Sequence, residues 1–298
     1  MTFHDPVLTS EVVTYLAPAR GGLFVDCTVG LGGHARALVA AGATRVLGLD
    51  RDGEALALAG EALRDLGDRV ELVQADYRSL PDVLDARSIR LVDGVLADLG
   101  VSSLQLDSEG RGFSFRRDEP LDMRMDRTAG PTAADLVNTA SERELADAIF
   151  GYGEERYSRR IARALVEARR GGRITTTGRL AELVRRAIPY RGHQRIDPAT
   201  RTFQALRIWV NRELEGLDRF LVAAVDRLRV GTRLVVISFH SLDDRIVKHT
   251  FRRLERVEAV LSVLTKRPVV PVEDETARNP RARSAKLRAV ERIAALAA

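Results

Sequence analysis

LFVDCTVGLGGH, residues 23–34, joins a short apolar run to a glycine-rich turn. The run has the length and composition of a buried strand, and the Ala-rich residues 33–41 that follow have those of a helix. Glycine lets the backbone turn sharply between them and approach a ligand closely. The turn lacks the G-x-G-x-x-G dinucleotide spacing, because Gly32 and Gly33 are adjacent and no third glycine follows where it is required. Any strand-to-helix turn can use glycine, so the neighbouring elements must decide its purpose.

The same alternation of strand and helix continues to residue 98. Residues 45–50, 70–73 and 92–98 read as three further strands, and residues 55–66 read as a helix. This alternation is typical of a parallel sheet covered by helices. We therefore predict an α/β fold in which right-handed crossovers bring the strand ends to one edge, where ligands bind in such folds.

Acidic residues follow three of the predicted strands. Asp50 lies 20 residues after Gly30, the third strand leads to Asp76 and Tyr77, and the fourth ends at Asp98. A carboxylate at Asp50 can accept hydrogen bonds from the ribose hydroxyls of a nucleoside cofactor, although a solvated loop acid is the alternative. An aromatic face at Tyr77 can stack on adenine. A pyrophosphate needs an anion-binding helix start, whereas acids crowd this edge, so the pattern favours S-adenosylmethionine over NAD.

Charge is distributed unevenly along the 298 residues, whose formal net charge is +5. Residues 1–100 contain 9 Arg and 15 Asp or Glu, a net charge of −6, whereas residues 101–298 carry a net charge of +11. Nearly all of the basic residues are arginines, which bind phosphate in a bidentate manner and stack on bases. A genomic bias toward Arg explains that content by itself, but the asymmetry between the two parts favours an anionic partner.

Composition also argues against several other classes of protein. The single cysteine, Cys27, allows no intramolecular disulfide and no cysteine-based metal site, so we expect a cytoplasmic protein in a reducing compartment. Five scattered histidines give no paired ligand spacing, so we expect no metal. The longest apolar stretches, such as residues 234–239, are too short to span a bilayer, and the N-terminus does not read as a signal peptide.

After about residue 104, loops and helices replace the alternation of strands and helices. Residues 141–144 fit a capping box, and further helices are predicted over residues 154–168 and 179–187. Apolar residues at steps of three and four predict one long helix from residue 203 to residue 228, before a strand at 234–239 that rejoins the sheet. We divide the chain into a first sheet-forming part, a mostly helical insertion, and a second sheet-forming part with a basic C-terminal tail, at residues 1–103, 104–205 and 206–298.

Ten motifs, spread in order from one end of the chain to the other, resemble those of the RsmH (MraW) family. Several are long, so that their occurrence in this order is not a chance match. The motifs are HDPVL (4–8), GGH (32–34), GLDRD (48–52), DLGVSS (98–103), RGFSF (111–115), PLDMRMD (120–126), GEER (153–156), PATRTFQALR (198–207), ISFHSL (237–242) and NPRARSAKLR (279–288).

The resemblance implies a class I methyltransferase with a Rossmann-like core interrupted by a helical domain for substrate recognition. It implies transfer of a methyl group from S-adenosylmethionine to the exocyclic N4 of a cytidine in the decoding region of small-subunit (16S) ribosomal RNA. Tyr77 stands where the family often has Phe, which keeps the aromatic face, and Asp243 stands where Glu is usual, which leaves its role open. The cofactor contacts that the resemblance implies are Gly32, Gly33, His34, Asp50, Tyr77, Asp98 and Gln105.

Two residues are candidates for catalysis. Methyl transfer to a cytosine amine depends on positioning, because the lone pair of its nitrogen is delocalised into the ring. Many amine methyltransferases carry an (Asp/Asn/Ser)-Pro-Pro-aromatic loop after the fourth strand, but the sequence from Asp98 reads DLGV. Asp98 can accept hydrogen bonds from the amine or hold the cofactor, and we favour the cofactor role. His240, after the late strand, can bond the base or be a structural strand-end histidine.

Candidates for RNA contact come from the insertion and the tail. Phe113 lies among arginines, which suits stacking on unpaired bases, but a hydrophobic anchor for the insertion explains it as well. Arg201 and Arg207 share one face of the predicted long helix and can line the substrate cleft or tie the insertion to the core. Arg281 and Arg283 belong to the basic tail, where we predict phosphate contact, with a solvated charged face as the alternative.

The residues alone leave three other functions open. One is an NAD-dependent oxidoreductase, but this chain lacks the fingerprint glycines of that class. A second is a non-catalytic RNA-binding assembly factor that holds S-adenosylmethionine and differs from the enzyme only in turnover. The third is the same chemistry on DNA or protein. Only the family resemblance selects RNA. The expected partner is small-subunit ribosomal RNA or the small ribosomal subunit, with no membrane and no DNA partner, and the expected state is a monomer or a homodimer.

Overall fold

The structure is a computed structural model that describes residues 6–189 and 197–294. His4 and Asp5, which begin the first of the ten motifs, lie outside these described residues. None of the described helices is both long and apolar enough to cross a membrane. The described residues also contain no group of three or more His, Cys, Asp or Glu side chains that can hold a metal ion.

The chain separates into two compact units. We call residues Met1–Gly100 together with Leu214–Ala298 the sheet unit, and Val101–Glu213 the helical unit. The predicted insertion, residues 104–205, falls inside the helical unit, which extends beyond it at both ends. Since the sheet unit is built from both ends of the chain, the helical unit is inserted in sequence between two halves of one sheet.

Seven strands form one sheet in the order β3-β2-β1-β4-β5-β7-β6. The first five in sequence pair in parallel, which confirms the predicted α/β fold and its four N-terminal strands. The predicted late strand also rejoins the sheet, beside β4. The strands are β1 Leu23–Asp26, β2 Arg45–Asp50, β3 Val70–Gln74, β4 Val92–Asp98, β5 Leu228–Ser238, β6 Leu261–Val263 and β7 Lys286–Arg292.

The last part of the basic tail is a buried strand rather than a free tail. β7 pairs antiparallel with β5, and β6 pairs antiparallel with β7. Arg288, in the middle of β7, is 6% exposed, and its guanidinium bonds the Asp244 carboxylate at 2.6 and 3.2 Å. The positive charges in this run concealed an alternating apolar pattern, because Arg288 is neutralised by an ion pair inside the fold.

Side chains on the central strands alternate between two apolar layers. Val95 and Ala97 of β4 pack in one core, whereas Leu96 between them packs in the other. In β5, Leu234 and Val235 divide between the two cores in the same way. A sheet with both faces buried needs helices on both sides, which explains why its strands read as nearly continuous apolar runs.

Thirteen α-helices lie within the described residues, together with short 3₁₀ turns at Pro18–Arg20, Arg64–Arg69, Tyr77–Ser79 and Pro280–Ser284. The helices are α1 Thr9–Leu16, α2 Gly33–Ala40, α3 Gly53–Ala62, α4 Leu80–Asp85, α5 Ser103–Asp107, α6 Ala133–Thr139, α7 Glu142–Gly153, α8 Ser158–Arg170, α9 Thr177–Ala187, α10 Ala199–Asn211, α11 Leu217–Asp226, α12 Ser241–Arg256 and α13 Glu273–Arg278.

The prediction of one long helix from residue 203 to residue 228 is wrong. Two helices, α10 and α11, occupy this stretch, and they belong to different units. Arg212 has a left-handed backbone with φ 52° and ends α10, and Gly216 has φ 71° and precedes α11. Left-handed residues interrupt a right-handed helix, and the apolar spacing continued across them because each helix buries its own face.

Helix boundaries in the helical unit also differ from the prediction at one point. The capping box at Ser141 and Glu144 is confirmed, and it begins α7. The next helix was predicted from residue 154, but Glu154 has φ 50° and ends α7, so that α8 begins at Ser158. The core of this unit contains the buried Phe113, together with side chains from α6, α8, α9 and α10.

Candidate active site

Polar residues meet at the carboxyl edge of the parallel strands. β1 ends at Asp26, β2 at Asp50 and β4 at Asp98. Because these strands run in the same direction and β1 pairs with both β2 and β4, the three carboxylates lie at one edge of the sheet. This is the edge at which open α/β sheets bind ligands.

The glycine-rich turn closes this edge above β1. Gly30 and Gly32 have left-handed backbones, with φ 53° and φ 84°. A Cβ atom on Gly32 would lie 2.5 Å from Leu63 Cδ1, and one on Gly33 would lie 2.9 Å from Pro6 Cγ, which is too close in both cases. A Cβ on Gly30 would meet no atom nearer than 4.0 Å. Gly32 and Gly33 are therefore required by packing within the sheet unit, whereas the turn is open at Gly30.

Asp50 is tied to the turn through its carboxylate. Oδ2 accepts a hydrogen bond from the Gly30 N–H, and Oδ1 accepts one from the Asp52 N–H, both at 2.9 Å. Burial raises the pKa of Asp50, and these two hydrogen bonds oppose the shift. Each carboxylate oxygen has a second lone pair, so a carboxylate held in this way can still accept hydrogen bonds from a ligand. Gly30 and Asp50, 20 positions apart in sequence, are thus in direct contact.

Two buried ionisable side chains and a third that is 22% exposed form a cluster, which we call the Asp26–His34–Asp98 cluster. Asp26 is 0% exposed and His34 is 5% exposed. The Nε2 atom of His34 lies 3.6 Å from Asp98 Oδ2, and the Asp98 N–H donates to Thr28 Oγ1 at 2.7 Å. Among the described residues, Asp26 Oδ2, both ring nitrogens of His34, and Asp98 Oδ1 are buried without a hydrogen-bond partner. Buried polar atoms are normally satisfied, so four such atoms at a ligand-binding edge indicate a site for a polar ligand.

Electrostatics in the cluster favours a cation. Burial raises the pKa of Asp26 to about 7, against the opposing charge of His34 and the Thr28 N–H bond. Burial alone lowers the pKa of His34, but its contact with Asp98 and the charges of Asp98, Asp26 and Glu275 raise it overall. Two carboxylates in a dry site repel one another and lack solvation. A positively charged ligand group would add to the counter-charge that His34 provides.

Tyr77 presents an aromatic ring at the end of β3. It packs edge-on against Phe220, with ring centroids 4.7 Å apart, and the Arg78 guanidinium lies 5.6 Å from its ring centre. Asp76 beside it is bound by the Arg78 side chain at 2.7 and 2.6 Å. Burial raises the pKa of Asp76, but the contacts with Arg78 outweigh it and lower that pKa. Asp76 is therefore engaged in an ion pair, and the stacking of Tyr77 on adenine stays a prediction.

His240 has a structural role at the start of α12. Its Nδ1 accepts a hydrogen bond from the Asp243 N–H at 3.3 Å, and Asp243 Oδ1 accepts one from the His240 N–H at 3.2 Å. Asp243 Oδ2 also accepts from the Phe239 N–H at 3.1 Å. These reciprocal bonds form a capping box in which histidine takes the usual place of Ser or Thr. The open question about position 243 is thereby answered, because the shorter Asp side chain closes this cap.

Gln105 caps a helix in the helical unit. Its Oε1 accepts from the Ser102 N–H at 3.0 Å, and its own N–H donates to Ser102 Oγ at 3.2 Å. The side chain is 4% exposed. This capping box begins α5, which directly follows β4 in sequence.

Two of the predicted RNA-contacting residues are committed to contacts inside the helical unit. Phe113 is 8% exposed and packs in the core, with the Arg111 guanidinium 5.8 Å from its ring centre. Arg207 bonds the Glu213 carboxylate twice, at 2.8 and 2.9 Å, and its side chain is 16% exposed. We therefore correct Phe113 to a hydrophobic anchor, the alternative that the sequence had left open. We correct Arg207 to an ion pair with Glu213, which is neither of the two roles predicted for it.

The other predicted RNA-contacting residues are more accessible. Arg201 is 58% exposed and donates to the Glu154 carbonyl at 3.3 Å. Arg283 is exposed and Arg281 is half-buried, both on the 3₁₀ turn that precedes β7. On α8, Arg159 and Arg160 are exposed, and within the described parts of the chain no acidic side chain pairs with either. The sequence analysis had not singled out Arg159 and Arg160.

Sequence reasoning also passed over Asp26 and Thr28. Asp26 was read as part of an apolar run, although it stands at the end of the strand immediately before the glycine turn. An acid in an otherwise buried strand is costly unless it has a purpose, and this was the available signal. Thr28 gave no signal, because its bond to the Asp98 N–H joins residues 70 positions apart.

Comparison with known proteins gives consistent matches over nearly the whole chain. A family model described as the MraW methylase family matches residues 1–293. The protein named Ribosomal RNA small subunit methyltransferase H of Bradyrhizobium diazoefficiens is 52% identical over 305 residues, which cover 98% of this chain and 92% of that protein. The protein of the same name from Thermotoga neapolitana is 50% identical over 296 residues, with 98% and 96% covered.

Solved structures give weaker matches. An rRNA methylase from Streptococcus thermophilus is 12% identical with a TM-score of 0.44, and the match covers 98% of this chain and 99% of that one. A SAM-dependent O-methyltransferase from Thermotoga maritima is 12% identical with a TM-score of 0.43, and the match covers 100% of this chain and 70% of that one.

Proposed function

The chain belongs to the MraW methylase family, and we propose that it transfers a methyl group from S-adenosylmethionine to the exocyclic N4 of a cytidine in small-subunit ribosomal RNA. Relatives about 50% identical over nearly the full chain carry the name of a small-subunit ribosomal RNA methyltransferase. The observation that carries the chemistry is the Asp26–His34–Asp98 cluster, whose unsatisfied buried atoms stand at the carboxyl edge of the sheet.

The residues at this edge fit S-adenosylmethionine. The cofactor supplies an electrophilic methyl group on a positively charged sulfonium, beside an ammonium group. The carboxylates of Asp26 and Asp98 favour such positive charge, and pyrophosphate would be repelled by them. At the nucleoside end, Asp50 can accept hydrogen bonds from the ribose hydroxyls and Tyr77 can stack on adenine. Gly32, Gly33 and His34 form the turn, and we propose that Gln105 completes the contacts.

Asp98 has the stronger claim to a role in catalysis. Its Oδ1 atom is buried and has no protein partner among the described residues, whereas His240 already uses Nδ1 and its backbone in the cap of α12. We propose that Asp98 holds the cofactor and accepts a hydrogen bond from the cytosine amine, which becomes a stronger donor as it gains positive charge. His240 then acts by fixing the end of β5 and the start of α12, as a positioning residue.

RNA binding is supported by charge. The helical unit contains 21 Arg and 16 Asp or Glu, a net charge of +5, while residues 1–100 are acidic. Exposed arginines in the helical unit include Arg159, Arg160 and Arg201, and the sheet unit adds the exposed Arg283 and the half-buried Arg281. We propose that these residues contact RNA phosphates. An enzyme that modifies ribosomal RNA works where ribosomes are assembled, so we propose a cytoplasmic location. We also propose that the protein is a monomer or a homodimer.

Labelled methyl transfer tests the proposal directly. Purified protein is incubated with labelled S-adenosylmethionine and with small subunits, or their naked RNA, that lack the modification, followed by nucleoside analysis. We expect N4-methylated cytidine from the wild-type protein and at least a hundredfold slower transfer from Asp98→Asn, which is roughly the cost of losing one transition-state hydrogen bond to a charged group. Cofactor binding without any methylated nucleoside would identify a non-catalytic binding protein instead.

A further inference from the structure

The N-terminal segment enters the sheet unit over the glycine-rich turn. Residues 6–8 precede α1, and Leu8 is fully buried with a left-handed backbone at φ 54°. Leu8 is the N-cap of this helix and makes no side-chain capping bond. An uncapped helix start with a left-handed residue must be held by contacts from elsewhere in the fold.

Glu275 supplies that contact. Its Oε1 atom accepts a hydrogen bond from the Leu8 N–H at 2.7 Å, across 267 positions of sequence. Glu275 lies half-buried in α13, just before the 3₁₀ turn Pro280–Ser284 that leads into β7. The two ends of the chain are therefore joined at this point by a charged hydrogen bond, which is stronger than one between neutral groups.

Residues 6–8 in turn cover the cofactor edge. The Pro6 ring packs so closely on Gly33 that a Cβ atom there would lie 2.9 Å from Pro6 Cγ and 3.1 Å from Pro6 Cδ. Gly33 is the first residue of α2, and His34 of the buried cluster follows it. The charge of Glu275 also contributes to raising the pKa of His34, so the carboxylate acts on the cluster as well as on Leu8.

We propose that Glu275 is a positioning residue for the cofactor, which holds residues 6–8 against Gly33 and so keeps the glycine-rich turn in the conformation that binds. This inference rests on the proposed function, because it concerns the same cofactor edge. Glycine-rich backbone has many accessible conformations. The bond from the Gly30 N–H to Asp50 restricts the start of this turn, and the packing of Leu63 and Pro6 restricts it at Gly32 and Gly33. Without the bond, the binding conformation is less populated, and affinity falls by the same fraction.

Calorimetric binding of S-adenosylhomocysteine to a set of full-length variants tests the proposal. Glu275→Ala removes the acceptor and should raise Kd by roughly fivefold. Glu275→Asp keeps the charge but shortens the arm, and should behave like Glu275→Ala. Glu275→Gln keeps an oxygen that can accept from Leu8, and should stay within about twofold of wild type. Glu273→Ala, an exposed residue of the same short helix, is the matched control and should not change Kd.

Two further measurements separate positioning from general destabilisation. Amide hydrogen exchange should accelerate at Leu8 and the start of α1 in Glu275→Ala and Glu275→Asp only. In methyl transfer, both variants should raise the KM for S-adenosylmethionine while kcat at saturating cofactor stays within about twofold, since saturation restores the binding conformation. A loss of kcat equal to the rise in KM would indicate a merely structural residue.

Besides that loss of kcat, three binding results would overturn the inference. One is wild-type affinity in a folded Glu275→Ala, and another is Glu275→Gln binding as weakly as Glu275→Ala, since the charge and not the bond would then matter. If Glu275→Ala does not fold, Glu275→Asp and Glu275→Gln are compared instead. Equal affinity of these two variants for S-adenosylhomocysteine is the third result. Failure of the proposed function looks different, because there the wild-type protein itself would bind no S-adenosylhomocysteine or methylate no RNA.

Discussion

Two buried polar networks, one in each unit, differ in whether the protein satisfies them. In the helical unit, Asn211 is 2% exposed, and its Oδ1 accepts from the Met125 N–H at 2.8 Å. Its Nδ2 donates to the Met123 and Arg207 carbonyls at 2.7 and 2.9 Å. In the sheet unit, Asp26 and His34 of the Asp26–His34–Asp98 cluster are similarly buried, but the cluster contains four side-chain atoms without a hydrogen-bond partner among the described residues.

The difference separates polar groups that serve folding from those that serve a ligand. A buried amide with all its hydrogen bonds made stabilises one packing arrangement of the helical unit. A buried carboxylate without them costs free energy, and a fold retains it only where something else benefits. A concentration of such atoms at a ligand-binding edge marks a functional site, whereas an isolated one, such as Thr202 Oγ1 in the helical unit, does not. The following experiments test that distinction.

The largest effect is expected from Asn211→Leu. The substitution leaves the Met125 N–H and the Met123 carbonyl buried without partners, so the free energy of unfolding should fall by about 4 kcal/mol. Denaturant unfolding measures this change. Glu167→Ala, which breaks an exposed ion pair with Arg170 in the same unit, is the control and should cost less than about 1 kcal/mol. Equal losses from the two variants would remove the distinction on the helical side.

Asp26→Asn should have the opposite effect on stability at neutral and alkaline pH. The pKa of Asp26 is raised from 3.8 to about 7 in the folded protein, so the folded state binds this proton more tightly than the unfolded state. The contribution of this group to stability is therefore full below pH about 4 and is lost as pH rises through about 7.

Since Asn cannot ionise, the variant should be more stable than wild type by about 4 kcal/mol at pH 8, and the gain should vanish near pH 4. Thermal or denaturant unfolding across this pH range measures it. The same variant should bind S-adenosylhomocysteine more weakly, because it lacks the carboxylate. A variant that lost stability at pH 8 would show that Asp26 is a folding residue like Asn211.

Asp50→Ala should weaken binding of the cofactor and should change the stability of the fold little. Losing charged hydrogen bonds worth about 1.5–3 kcal/mol should raise the cofactor Kd by tenfold or more. Calorimetry with S-adenosylmethionine checks this, and Asp65→Ala, an exposed acid of the same unit paired with Arg36, is the matched control. An unchanged Kd in Asp50→Ala would mean that Asp50 only shapes the turn through Gly30 and Asp52.

The smallest effect is expected from substitutions of surface arginines. Here too, groups that serve folding are compared with groups that serve a ligand. Arg281→Ala with Arg283→Ala should weaken RNA binding and reduce the slope of log K against log salt by about 0.7 for each phosphate that is no longer neutralised. Filter binding or fluorescence titration at several salt concentrations measures the slope. Arg64→Ala with Arg170→Ala removes two arginines that are paired with neighbouring acids and should leave it unchanged. An unchanged slope in the first pair would exclude phosphate contact by the 3₁₀ turn.

Local patterns alone determined the sheet and the order of its acidic strand ends. The apolar runs of β1, β2 and β4, each followed by a helical segment, predicted parallel strands, because both faces of such a sheet are buried. Asp50 and Asp98 were found for the same reason, since a strand end fixes where its last side chain lies. The capping box at Ser141 and Glu144 is equally local, because it joins residues three positions apart.

Features that depend on contacts between distant positions became visible only in the folded structure. β7 was hidden because Arg288 looks exposed in sequence and is neutralised only by Asp244, and α10 and α11 looked continuous because their apolar spacing runs across left-handed Arg212. Asp26 became a site residue only when folding buried it beside His34 and Asp98. Sequence records which groups a chain contains at each spacing, whereas burial and pairing between distant positions set the energies that make those groups structural or functional.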